Sequence, residues 1–288
     1  MKFSKYLQLH FIILLWGFTP VLGKLISIDA FDLVWYRLLF SLTGLYFYIR
    51  YKGISLKIDK KSLLIILATG LIVGAHWFFF YQAIKISNVS VTMAGFSRIT
   101  LFASFFQPLL LKKKFYWTDV IYGVAICVGL LVILNFEKIY FWGIVFGIIA
   151  AITAAFFGVY NGKLILKNDA MVITFYEFVG ALFFISILKL FNHSESYLPS
   201  LSLSDLIWLL VLSLVCTTLA FTMSVQILKY FTPLTVIITN NLEPIYGIVF
   251  SVIIFGQSEY MSLGFYIGTI ILLASVFTYP FISAKFKK

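Results

Sequence analysis

The sequence predicts an all-α membrane protein of ten transmembrane helices, arranged as two inverted five-helix repeats. Three observations predict this class. Of the 288 residues, 62% are hydrophobic and only 11% are charged, whereas a soluble domain carries about 25% charged residues. The apolar residues fall into runs long enough to cross a bilayer, for which about 20 residues suffice. Short segments of the first half recur in the second at an offset near 140 residues.

The composition excludes several other classes. The mean hydropathy of +1.03 leaves little room for a soluble domain. The net charge of +11 does not indicate nucleic acid, because the basic residues lie in short clusters between apolar runs and form no basic face. Cys127 and Cys216 both lie inside apolar runs, which predicts packing roles and neither a disulfide nor a zinc site. Lys2 and Lys5 before an apolar run imitate a signal peptide. No small-residue cleavage site follows, and the run continues through "WGFTPVLGK". No HExxH, GxGxxG or P-loop is present, so no metal or other cofactor is expected.

The expected spans are 8–26, 33–50, 62–84, 89–111, 117–135, 140–160, 170–190, 205–227, 233–255 and 261–282. The first contains Trp16, Gly17 and Pro20, a proline that would interrupt the helix and let it flex. The second holds Arg37. The third carries "AHWFFFYQA", with His76, and with Trp77 and Tyr81 four residues apart. The fourth holds Arg98 and a stripe of Ser90, Met93, Ser97, Thr100, Ser104 and Gln107. Arg98 lies roughly 130° from the centre of that stripe at helical periodicity. Its own face carries Ala94 and Gly95. Both faces are expected to avoid lipid, one for helix packing and one for a cavity. The sixth span repeats Gly143, Gly147, Ala151 and Ala155 every fourth residue, which predicts close helix packing, and ends near Tyr160 and Asn161. The seventh holds Glu177. The ninth holds Asn240, Asn241 and Glu243 just before Pro244.

Orientation follows from the loops. Sixteen of the 22 basic residues fall on the side of the N-terminus, among them Lys52, Lys57, Lys60, Lys61 and Lys112. Four fall on the other side: Lys24, Lys85, Lys138 and Lys189. The last two, Arg37 and Arg98, lie within spans. Both termini are therefore expected in the cytoplasm, with the chain multi-pass in the cell (inner) membrane.

"AFDLVWYRLLF" at 30–40 precedes "AMVITFYEFVG" at 170–180 by 140 residues, which sets Arg37 against Glu177. "YQAIK" at 81–85 precedes "VQILK" at 225–229 by 144. The repeats are expected at 1–138 and 139–288. Five spans each is an odd number, so the second half enters the membrane inverted. Such repeats are a transporter signature, with substrate bound at their interface near the midplane.

Three segments carry a resemblance to a known family. "LLWGFTPVLGK" at 14–24 is similar to that family's Trp-Gly opening, and "YRLLFS" at 36–41 to its second-helix arginine motif. "NLEPIYGIVFSVIIFGQSE" at 241–259 resembles its Leu-Glu-Pro run ending in Gly-Glu, although here Gln257 follows Gly256 and the acid comes at Glu259. On these segments the chain resembles the EamA-like branch of the drug/metabolite transporter superfamily. The resemblance implies two inverted EamA repeats and export of small metabolites or drugs, not enzymatic activity.

Buried charge in a membrane is expensive and marks pathways or partners. Arg37, Arg98, Glu177 and Glu243 could form two opposite-charge pairs. Arg98 and Glu243, in spans the repeat makes equivalent, are expected on the substrate pathway. Together they would suit a zwitterion such as an amino acid. Arg37 and Glu177 lie near span ends, where a long side chain can snorkel, and are expected as structural or coupling charges. Trp16, His76, Trp77, Tyr81, Asn161 and Asn240 complete the expected pathway. His76 suits either proton coupling or a neutral bond to a neighbouring helix. The partners expected are the lipid bilayer and a small-molecule substrate. Monomer and homodimer both remain open, as do a channel or facilitator and a lipid-modifying membrane enzyme.

Overall fold

The computed structural model describes residues 2–112, 128–129, 132–133, 138–191 and 201–286. The described residues are all helical apart from turns, with no strand among them. The first three helices are α1 (Lys2–Leu25), α2 (Ala30–Tyr51) and α3 (Lys60–Ile86). The expected fourth span is two pieces, α4 (Val89–Phe96) and α5 (Ile99–Leu111). The expected fifth span, with Cys127, lies largely outside the described residues. A turn of 3₁₀ helix leads into α6 (Phe141–Leu164), followed by α7 (Ala170–Phe191). The expected eighth span runs as α8 (Leu203–Leu210), a π-helical stretch (Val211–Leu219) and α9 (Ala220–Ile227). The ninth is α10 (Pro233–Thr239) and α11 (Leu242–Phe255), closed by a 3₁₀ turn (Gly256–Glu259), and the tenth is α12 (Leu263–Phe286).

Seven segments are long and apolar enough to cross a membrane: those at 3–25, 60–86, 89–111, 138–164, 170–191, 203–227 and 233–259. The second helix is not one of them, which reflects Asp32, Arg37 and Arg50 in its length. The described residues thus supply seven apolar spans where ten are expected.

Capping and small residues explain the local structure. Asp29, Asp59, Asn88, Ser202 and Thr232 each accept a backbone amide at a helix N-terminus, as short polar side chains do there. Pro20 does not interrupt α1, contrary to expectation. A proline removes the bond to the carbonyl four residues back, here that of Trp16. The Thr19 hydroxyl donates to that carbonyl at 2.7 Å, so the helix continues.

The core is built on close backbone approaches. A Cβ on Gly70 would lie 2.3 Å from the Glu177 carbonyl oxygen, and one on Gly180 2.3 Å from that of Leu67. Helices α3 and α7 therefore cross nearly backbone to backbone. The small residues of α6 do the same work against α3 and α4. A Cβ on Gly147 would meet the Thr92 carbonyl oxygen at 2.9 Å, and Ala151 and Ala155 are fully buried.

The chain ends define two faces of the bundle. Tyr6 meets Phe231, and Gln107 Oε1 accepts from the Leu234 amide at 3.2 Å, at the end that carries the N-terminus. Lys24, Asp32, Lys85, Ser90, Lys189, Asp205 and Glu259 gather at the opposite end. We call these the terminal end and the far end.

Candidate functional site

A cavity of about 810 Å³, its mouth included, lies among the helices. Its deeper wall holds Trp16, Thr19, Arg37, His76, Trp77 and Glu243. From there it extends toward the terminal end, where Asn161, Leu228 and Pro233 line it. Helical rise places Glu243 about 15 Å along the ninth span from Pro233, near the depth of the bilayer midplane.

Arg37 is 3% exposed and does not snorkel, contrary to expectation. Its Nε donates to Thr217 Oγ1 at 2.6 Å and its Nη1 to the Tyr81 hydroxyl at 2.8 Å. The guanidinium carbon lies 4.2 Å from the centre of the Trp77 ring, a cation–π contact. Thr217 belongs to the π-helical stretch and passes its own proton to the Leu212 carbonyl, five residues back, at 2.6 Å. Its neighbour Thr218 bonds the carbonyls of Ser213 and Ser41 at 3.0 and 3.2 Å, and Ser41 returns a bond to Ser213 at 2.8 Å. Departures from α-helical register of this kind are frequent at functional sites. Here the wider turn hands a threonine hydroxyl to the buried arginine.

Glu243 is 6% exposed and faces the same cavity. Among the described residues no ion pair joins it to Arg37, and the expected pairing of the four inner charges is not found. Asn240, one turn before it, also lines the cavity, and its Oδ1 makes no hydrogen bond within the described chain. Tight turns at Asn240 and Asn241 part α10 from α11, with bonds from Asn241 N to Ile238 O at 3.2 Å and Glu243 N to Asn240 O at 2.9 Å.

His76 Nδ1 lies 2.9 Å from the Ala150 carbonyl oxygen. A carbonyl only accepts, so Nδ1 carries the proton. Its ring packs against Phe80, Phe96 and Phe157. Trp77 completes an aromatic wall with Phe178 and Phe221. Tyr81 is fully buried behind Arg37 and is not on the wall. Glu177 is also behind the wall and fully buried, joined to the cavity through Asn161, whose Nδ2 donates to Glu177 Oε2 at 3.3 Å.

Arg98 is 2% exposed but does not line the cavity. It stands at the break between α4 and α5, and its Nη1 bonds the carbonyls of Ala94 and Gly95 one turn back. That face of the helix packs on α6: a Cβ on Gly95 would lie 3.0 Å from Gly147 Cα. The polar stripe faces the ninth span. Ser90 bonds Glu259, Thr100 Oγ1 accepts from Asn241 Nδ2 at 2.6 Å, and Gln107 meets Leu234. Neither lipid-shy face looks into the cavity; Phe96 and Ile99, between them, do.

Thr19, Thr217 and Ser224 belong to the site or its support and were not singled out in the sequence. The only signal for them was a hydroxyl in an apolar run, which many buried helices share. Among the described residues no cluster of His, Cys, Asp or Glu is grouped to hold a metal.

Apolar helices around a charged, aromatic cavity define a multi-pass membrane protein, and the chain's matches say of which kind. Residues 5–135, and again 141–279, match the EamA-like transporter family. The chain belongs to this family, within the drug/metabolite transporter superfamily, and is a membrane transporter of that type. A solved structure described only as a crystal structure of a protein shares the fold, with a TM-score of 0.71 at 14% identity. The match covers 98% of this chain and 99% of that one. No curated protein matches the chain.

Proposed function

We propose that the chain exports amino-acid-like zwitterions across the cell membrane by alternating access, with both termini cytoplasmic and ten spans in two inverted repeats, 1–138 and 139–288. The observation that carries this reading is one aromatic cavity holding Arg37 and Glu243 with no ion pair between them. A guanidinium fixed by Thr217 and Tyr81 suits a carboxylate, which it can bind through its remaining donors. The Glu243 carboxylate suits an ammonium group. Trp16, Trp77, Phe157 and Phe221 supply apolar wall for a side chain. Arg37 takes the role that the sequence suggested for Arg98, which serves the helix break instead. Asn161 and Asn240 add neutral polar contacts toward the terminal end.

Glu243 is also the group we assign to proton coupling, because it combines a titratable carboxyl with the cavity wall. Its place at the start of α11, beside the interruption, lets its surroundings change as the ninth span moves. The test is transport of labelled amino acids into proteoliposomes, with and without an imposed pH gradient. Arg37→Ala is expected to abolish transport. Glu243→Gln is expected to abolish gradient-driven accumulation, and to leave only a residual, pH-independent exchange weakened by loss of the ammonium contact. Accumulation that survives both changes would overturn the assignment, and a conductance without accumulation would favour a channel.

A further inference from the structure

Among the described residues, the far end of the bundle is closed by charge and the terminal end is not. Glu259 is fully buried in the 3₁₀ turn after α11. Its Oε1 accepts from Lys24 Nζ at 2.7 Å and from the Val89 amide at 3.2 Å. Its Oε2 accepts from the Ser90 amide and the Ser90 hydroxyl, each at 2.9 Å. One carboxylate therefore ties the first, fourth and ninth spans together. Lys24 adds a bond to Ser258 Oγ at 2.8 Å and lies over the Phe255 ring. Beside this knot, Lys189 pairs with Asp32 to join α7 to α2, and Asp205 accepts the amide and hydroxyl of Ser27, both at 2.7 Å. Both ion pairs found among the described residues are at this end.

The repeat offers an internal control. An offset of 144 sets Asn88, Val89 and Ser90 on Thr232, Pro233 and Leu234. Both triplets are helix starts, with Asn88 and Thr232 as the capping residues. At the second start the Leu234 amide meets a neutral acceptor, Gln107 Oε1, at 3.2 Å. The residue 144 before Glu259 is Phe115, which carries no charge. The two ends thus use related helix starts with different acceptors, a carboxylate paired to lysine at one and an amide at the other. Charge-assisted bonds are roughly twice as strong as neutral ones.

We propose that Glu259 and Lys24 form a latch on the far mouth, and that this charge asymmetry between the repeats makes the transporter rest with its cavity facing the terminal side. Substrate release at the far end requires Glu259 to leave Lys24 and the start of α4 together. The proposal rests on the alternating-access reading, but its test needs no substrate and no transport.

In a chain with Cys127 and Cys216 replaced by serine, Ser224→Cys places one thiol on the cavity wall. A membrane-impermeant maleimide is then added to membrane vesicles of each orientation, and labelling rates from the two sides are compared. The parent is expected to label faster from the terminal side. Glu259→Gln and Lys24→Met are each expected to raise labelling from the far side relative to the terminal side by about tenfold, the worth of one hydrogen bond to a charged group. Lys24→Met leaves the bonds of Glu259 to α4 in place, so it carries the test if Glu259→Gln does not fold. Gln107→Glu, which adds the missing charge at the other mouth, is expected to shift the ratio toward the far side as well. Faster far-side labelling of the parent, or an unchanged ratio in the variants that fold, would overturn the latch. Absence of amino-acid transport by the protein without the Ser224→Cys change, with the labelling pattern intact, would instead count against the proposed substrate.

Discussion

Arg37 is held in a nearly dry site by two hydroxyls and an indole face. Such a group is tolerated in a membrane interior when polar partners replace its hydration. The arrangement predicts that Thr217 acts through Arg37. Thr217→Val keeps the shape and removes the acceptor of the Nε proton. It is expected to raise the KM for a carboxylate substrate by about ten- to a hundredfold, the range of one charged hydrogen bond, with a smaller change in kcat. Thr217→Ser is expected to restore the parent KM. Equal losses in both variants, measured as initial rates in proteoliposomes, would assign Thr217 to packing alone. Thr19 makes a parallel case. Thr19→Val leaves the Trp16 carbonyl, freed by Pro20, without its partner, and is expected to cost roughly 1–3 kcal/mol of stability. A melting curve in detergent would register it.

At the scale of the element, the fourth and ninth spans are each broken at mid-depth, and the breaks are bonded to one another through Thr100 and Asn241. Interrupted helices recur in transporters because free backbone groups and side chains can serve a cavity there. The crossing of α3 and α7 is the rigid counterpart. Gly70→Ala and Gly180→Ala each force a methyl group against a backbone carbonyl. Each is expected to destabilise the bundle by about 1–3 kcal/mol through overpacking, read as a lower Tm or reduced yield of monodisperse protein. Outside the spans, Asp59 caps α3, and its bonds to the Ser62 hydroxyl and amide hold its carboxyl below the usual carboxylate range. A lowered folded value means the cap contributes above the unfolded value of about 3.9 and fades as pH falls through the folded one. The stability difference between the parent and Asp59→Ala is therefore expected at neutral pH and to vanish in acid.

Across the bundle, the ionic contacts of the described residues are concentrated at one end and the cavity reaches toward the other. The Lys189–Asp32 pair shows what this means for stability. Both side chains are buried, so removing either one breaks a buried ion pair. Asp32→Ala or Lys189→Ala alone is expected to cost about 3–5 kcal/mol, whereas an apolar pair at both positions is expected to cost far less. A double-mutant cycle followed by thermal unfolding in detergent would measure the difference.

The sequence by itself determined that this chain is a multi-pass membrane protein and to which family it belongs. These depend on composition, on runs of spanning length and on short local motifs. It also marked Trp16, His76, Trp77, Asn161, Asn240 and Glu243, because polar or aromatic residues in apolar runs stand out one at a time. What it could not assign was the partner of each marked residue. A helical pattern states a residue's depth and angle on its own helix, but the neighbour facing that angle is set by how the helices cross. Arg37 and Arg98 show the difference. Both are arginines in apolar runs, and Arg98 is much the deeper in its run. Only the tertiary structure decided that Arg37 meets Thr217, from the other half of the chain, at the cavity wall, while Arg98 turns back onto its own carbonyls against α6. Glu259 belongs with them, since its lysine and its helix start lie about 170–235 residues away in sequence.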